Sequence, residues 1–78
     1  MNTETAKRIY KILTAISGMD NITPNQSLVT DLGLNSLRMV EVVISVEDEF
    51  DILFKQSDMN FYKLKNVKDL ITLVETYL

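Results

Sequence analysis

Apolar residues recur at helical spacing in separate stretches of this chain, and nowhere do they alternate with polar residues long enough to build a strand. The cleanest stretch is residues 67 to 77, where Val67, Leu70, Ile71, Val74 and Tyr77 share one helical face. Asn66 offers that helix an N-cap and Asp69 an acidic group in its first turn. Residues 3 to 17, "TETAKRIYKILTAIS", place Ala6, Ile9, Leu13 and Ile16 on one face and Lys7, Arg8 and Lys11 elsewhere. Gly18 is a fitting stop, and "DNITPNQS" beyond it has the composition of a loop. A third helix is expected from about Ser36 to about Phe50, and a short one near residues 58 to 63, begun by Asp58 as a cap. The expected class is therefore all-α, with three longer helices and one short third helix.

Nothing but helix packing is available to hold these elements together. The chain has 78 residues and no cysteine, so no disulfide framework or thiolate metal site supplements the core. With 46% hydrophobic residues it can bury a real core, and its length suits one domain over 1 to 78. The opening "MNTETAKRIYK" lacks the apolar region of a secretion signal, and charge interrupts every apolar run. A cytoplasmic protein with no membrane span is expected. Residues 20 to 31 do not make a calcium loop, because Ile22 and Pro24 occupy ligand positions and Asn25 replaces the turn glycine.

The net charge of −3 is unevenly spread. Residues 1 to 40 and 52 to 78 are each slightly basic, and the acidity lies in Glu41, Glu47, Asp48, Glu49 and Asp51. Such a cluster argues against nucleic acid as a partner and favours a basic protein surface. The helix that carries it has more hydrophobe than one core can take. Met39, Val42, Val43, Val46 and Phe50 fall in one sector roughly 100° wide, as a core stripe should. Leu37, Val40 and Ile44 make a second stripe centred ~135° away, edged by Glu41, Glu47 and Asp48. Either neighbouring helices cover it, or it is an exposed docking strip; the carboxylates crowded beside it favour the strip. A long connection leads to this helix, with Leu28, Val29, Leu32 and Leu34 available to pin it to the core.

Ser36 stands where that connection meets the helix, within "DLGLNSLRMVE". A serine nucleophile needs a general base, and the chain has no histidine, no lysine near Ser36 in sequence and no nucleophile elbow. Carboxylates along one helix without histidine or cysteine are more often a solvated face than a metal site. The plain structural role for Ser36 is an N-cap, but Asn35 can serve equally well, which leaves one of the two spare. Arg38 in the first turn opposes the helix macrodipole unless an anion stands beside it. A phosphate on Ser36 would meet free backbone N–H groups, the positive helix end and the Arg38 guanidinium.

The segment "DLGLNSLRMVEVVISVEDEF" resembles the attachment segment of acyl carrier proteins, with its pattern D-x-G-x-D-S-L followed by an apolar and acidic helix. Asp31, Gly33, Ser36, Leu37, Val40, Glu41 and the run from Glu47 to Phe50 carry the match. The resemblance implies a four-helix bundle of acyl-carrier type that is not an enzyme. It implies 4′-phosphopantetheine, taken from coenzyme A and attached covalently to Ser36 by a phosphopantetheinyl transferase, with Asn35 taking the cap and so freeing the Ser36 hydroxyl. The arm brings a thiol to a chain without cysteine, and acyl, polyketide or aminoacyl intermediates would ride on it as thioesters. Leu37, Arg38, Val40, Glu41, Ile44, Glu47 and Asp48 are the expected docking residues. The implied partners are that transferase, an acyl- or aminoacyl-loading ligase, and synthase or transferase enzymes with basic docking surfaces. The bundle core would also shelter an aliphatic chain, and the carrier is expected to be a monomer. Asn35 replaces the family's usual aspartate, Arg38 replaces an acidic residue usual in fatty-acid carriers, and four lysines follow from residue 55. These departures point to a specialised pathway. The competing reading is an unmodified helical interaction module that uses the same strip.

Overall fold

A computed structural model of the chain describes residues 3–59 and 63–78. It contains helix α1 (Thr3–Ser17), helix α2 (Ser36–Phe50), a 3-10 turn (Gln56–Asp58) and helix α3 (Val67–Thr76). Among the described residues there is no strand, only one isolated antiparallel bridge between Ser27 and Asn66. The all-α reading holds: among the described residues there are three α-helices, and a 3-10 turn stands near the place of the expected short one.

Helix α1 buries Ala6, Ile9 and Leu13 as its periodicity demands, while Ile12 and Ile16 pack at the margin of the core. It ends at Gly18, whose φ of +74° and N–H bond of 2.9 Å to the Thr14 carbonyl close the last turn. Helix α1 packs against both α2 and α3.

The connection before α2 is pinned by Leu28, Leu32 and Leu34, all buried. Val29, expected to join them, is 60% exposed. Its neighbours explain this: the Leu28 N–H donates to the Lys65 carbonyl at 3.0 Å, and the turn that follows directs the next side chain to solvent. Asp31 holds that turn by accepting the Ser27 N–H at 2.6 Å. Gly33 lies at φ +68° with open space where a side chain would begin, so backbone conformation alone calls for glycine there.

Helix α3 is capped as expected. Asn66 Oδ1 accepts the Asp69 N–H at 2.9 Å and Asp69 Oδ2 accepts the Asn66 N–H at 3.1 Å, a reciprocal capping box. The Val67 and Lys68 N–H groups donate to the Gln26 and Pro24 carbonyls, which ties the first loop to the start of α3. Val67, Leu70, Ile71 and Val74 are buried, and Tyr77 is half-buried at the end of the face.

The short helix expected near 58 to 63 falls in part on residues 60–62, and beside them the structure differs at Asp58. The 3-10 turn covers Gln56–Asp58, and Asp58 is its last residue rather than its cap. The Asp58 carboxylate accepts the Tyr77 hydroxyl instead, and its N–H closes the turn onto the Lys55 carbonyl at 2.9 Å. Residues 60–62 of the expected helix lie outside the described residues.

Candidate functional site

Helix α2 separates its two apolar stripes. Met39, Val42, Val43, Val46 and Phe50 are buried. On the opposite side Leu37, Val40 and Ile44 are exposed, at 67, 41 and 53%. Neither α1 nor α3 covers them, so the second stripe is a solvent-facing apolar strip beside Glu41, Glu47 and Asp48.

At the start of the helix the competition between Asn35 and Ser36 is resolved. Asn35 has extended backbone and its Oδ1 accepts the Arg38 N–H at 2.9 Å, which makes it the N-cap. Ser36 is the first helical residue, exposed, and its hydroxyl is not used as the cap. The Ser36 and Leu37 N–H groups, at the first two helical positions, have no intrahelical acceptor. A hydroxyl-linked phosphate fits this place: an accessible oxygen, free donors and the positive end of a helix dipole.

Arg38 is engaged along the helix. Its Nη1 lies 2.9 Å from Glu41 Oε2, an exposed pair one turn along the helix. Without a phosphate on Ser36, the Arg38 guanidinium forms an ion pair within the strip.

The acidic end of α2 is organised in three ways that sequence spacing did not reveal. Arg8 of α1 donates through Nε to Glu49 Oε2 at 2.8 Å and through Nη2 to the Glu49 carbonyl at 2.6 Å, with its guanidinium 4.3 Å above the Phe50 ring. Glu47 is half-buried and its Oε2 accepts the Phe54 N–H at 2.9 Å. Asp48 and Asp51 stay exposed and, with Ile44, Glu47, Ile52 and Leu53, line an open cavity of about 510 Å³. Leu53, 81% exposed, extends the apolar strip past the helix end. The run Ile52-Leu53-Phe54 held the signal for it, since three successive apolar residues cannot all face one core.

Further along the chain the Tyr77 hydroxyl donates to Asp58 and accepts the Lys55 N–H at 2.8 Å, while its ring meets Phe54 edge-on at 5.0 Å. The bond to the Asp58 carboxylate, helped by burial and opposed by the Lys55 N–H, holds the Tyr77 phenol above its usual value. Among the described residues no group of acidic side chains converges to hold a metal ion, and no helix is long and apolar enough to cross a membrane.

Residues 7–74 match the family described as the phosphopantetheine attachment site, so fold and sequence together define a phosphopantetheine-bearing carrier domain. The chain belongs to the acyl carrier protein family: it is a carrier of a covalent 4′-phosphopantetheine group and not a catalyst. A solved structure described as an acyl carrier protein from Mycobacterium tuberculosis is similar to it with a TM-score of 0.83 and 36% identity, over 92% of this chain and 96% of that one. Family membership implies interaction with a phosphopantetheinyl transferase and with synthase or transferase enzymes.

Proposed function

We propose that Ser36 is the attachment residue and that this domain, a single unit over residues 1 to 78, carries acyl, polyketide or aminoacyl intermediates as thioesters in a specialised biosynthetic pathway. The observation that supports this most is the division of labour at the start of α2. Asn35 satisfies the Arg38 N–H, which leaves the Ser36 hydroxyl exposed and unneeded for capping. When bound, the arm supplies the thiol that the chain lacks. The chain's own contribution is to present the Ser36 oxygen at a rigid helix end and to offer the free Ser36 and Leu37 N–H groups to the phosphodiester.

Leu37, Val40 and Ile44, with Arg38, Glu41, Glu47 and Asp48, form the surface that partners with basic faces recognise in this reading. The successive partners are the phosphopantetheinyl transferase, a loading ligase and the synthase or transferase enzymes. Docking of this kind is weak and quick, as a monomeric carrier that must leave each partner requires. Coenzyme A and these enzymes meet the domain in the cytoplasm. Asn35, Arg38 and the lysines from residue 55 onward favour a dedicated pathway over general fatty-acid synthesis.

The test is to incubate the apo protein with coenzyme A and a broad-specificity transferase and weigh it intact. The expected outcome is a mass gain of one phosphopantetheine that Ser36→Ala abolishes. No gain, or a gain that survives the substitution, would leave an unmodified interaction module as the better reading.

A further inference from the structure

We propose that Glu47 couples partner docking to the segment from Ile52 to Met59, so that a partner cation on Glu47 releases Phe54 and release of Phe54 in turn favours docking. This rests on the reading of the α2 strip as the docking face. Glu47 differs from its neighbours Asp48 and Asp51 in facing both ways. From solvent it is reached through the cavity of about 510 Å³ that all three carboxylates line. From within, its Oε2 holds the Phe54 N–H at 2.9 Å and its carbonyl accepts the Ile52 N–H at 3.1 Å.

Among the described residues the segment it holds has few other anchors. Leu53, Lys55, Gln56 and Ser57 are exposed, and Ile52 and Phe54 only pack at the margin of the core. Its far end is clasped by Tyr77, through the Lys55 N–H at 2.8 Å, the Asp58 carboxylate and the edge-on Phe54 ring. A segment fixed by two clasps and little buried area opens at lower cost than the helices around it. The Phe54 bond to Glu47 is charge-assisted, so a cation that draws on the same carboxylate weakens it. Among the described residues none of Glu47, Asp48 and Asp51 has a basic partner, and a lysine or arginine entering the cavity meets three uncompensated carboxylates.

Linkage makes the idea testable from the far side, because coupling between two sites is reciprocal. Tyr77→Phe keeps the ring against Phe54 and removes both hydroxyl bonds, and it stands at the C-cap of α3, outside the carboxylates and apolar residues of the α2 strip. It should speed amide exchange at Phe54 and Lys55 while leaving Val42 and Val46 unchanged. In steady-state modification of the apo protein by the transferase, it should lower KM with kcat unchanged, toward about fivefold, the low end of typical coupling between linked sites. Asp58→Asn loosens the same clasp from its other partner and should act in the same direction. In a Glu47→Gln background, Tyr77→Phe should no longer lower KM. A purely structural clasp predicts the opposite, an unchanged or raised KM, and that result overturns the coupling. If wild-type protein is modified normally and Tyr77→Phe does not lower KM, the coupling fails while the carrier reading stands. If wild-type protein gains no mass, the carrier reading itself fails.

Discussion

Substituting Asn35 and Ser36 in turn separates the two roles that their adjacency confuses. Asn35→Ala removes one acceptor, the Oδ1 that takes the Arg38 N–H at 2.9 Å. Losing such a cap costs 0.5 to 2 kcal/mol, typically about 1. Asn35 is exposed, so water replaces the lost acceptor and holds the loss near the typical value. For a domain of this size, about 1 kcal/mol lowers Tm by roughly 4 to 8 °C. Ser36→Ala removes no cap and exposes no buried group, so its effect should stay within about 0.5 kcal/mol. Asn35→Asp keeps the acceptor, adds a negative charge at the positive helix end and should gain ~0.3 to 1 kcal/mol at low salt. Urea melts of the apo proteins followed by far-ultraviolet circular dichroism give all three values, and intact mass gives the modification of each. Asn35→Ala should be destabilised yet modified, and Ser36→Ala stable yet unmodified. Equal destabilisation by both substitutions would mean that Ser36 shares the cap, and the argument for a spare hydroxyl would fail.

The two stripes of α2 should respond differently to truncation. Phe50→Ala, which removes a ring 9% exposed and roofed by the Arg8 guanidinium, should cost about 3 to 5 kcal/mol in the same melts. Ile44→Ala, at a side chain 53% exposed, should cost no more than about 0.5 kcal/mol, and a loss near that of Phe50 would make the strip core. Tyr77 predicts an alkaline effect. Its phenol holds its proton more tightly in the fold than in the unfolded chain, so the stabilisation is complete below the free tyrosine value of about 10. It is lost as pH rises through the higher native value. Urea midpoints measured across this range should fall less steeply for Tyr77→Phe, and identical slopes would refute the assignment.

Helix spans and the core face of each helix were legible because burial repeats with the helical period, and α1 and α2 begin and end where that period does. The N-cap at Asn66 and the acidic Asp69 in the first turn of α3 were legible, and the structure adds that the two close a reciprocal box. What escaped reading depends on contacts between distant positions. Asp58 was expected to cap a helix, but its carboxylate is engaged by Tyr77, nineteen residues away. Glu49 was counted in an acidic cluster, but Arg8 holds it from forty-one residues away. Val29 failed for another reason, since a loop has no period to say which of its apolar residues turns inward. At the site itself, sequence spacing singled out Ser36 and the exposed strip. Either side chain satisfies the local cap rule, so the expectation that Asn35 takes the cap rested on the resemblance of the segment to a carrier, and the Arg38 N–H bond to Asn35 Oδ1 bears it out.

The same contacts redistribute the charge that the strip presents. Of the carboxylates from Glu41 to Asp51, Glu41 is paired with Arg38 and Glu49 with Arg8, which leaves Glu47, Asp48 and Asp51 without a cation among the described residues. These three gather at the C-terminal end of α2, where the helix dipole is also negative. At ~1.5 Å per residue, Asp48 lies about 18 Å along the axis from Ser36, well beyond a Debye length of about 8 Å at physiological ionic strength. Attraction of a basic partner is therefore separated from the chemistry at the hydroxyl. Asp48→Lys should raise KM for transferase modification, leave kcat unchanged and flatten the rise of KM with added salt. Glu41→Lys, placed about one and a half turns from Ser36, should disturb kcat as well, because it puts a cation beside Arg38 near the reacting oxygen. A salt dependence unchanged by Asp48→Lys would show that the acidic end of α2 does not steer the encounter.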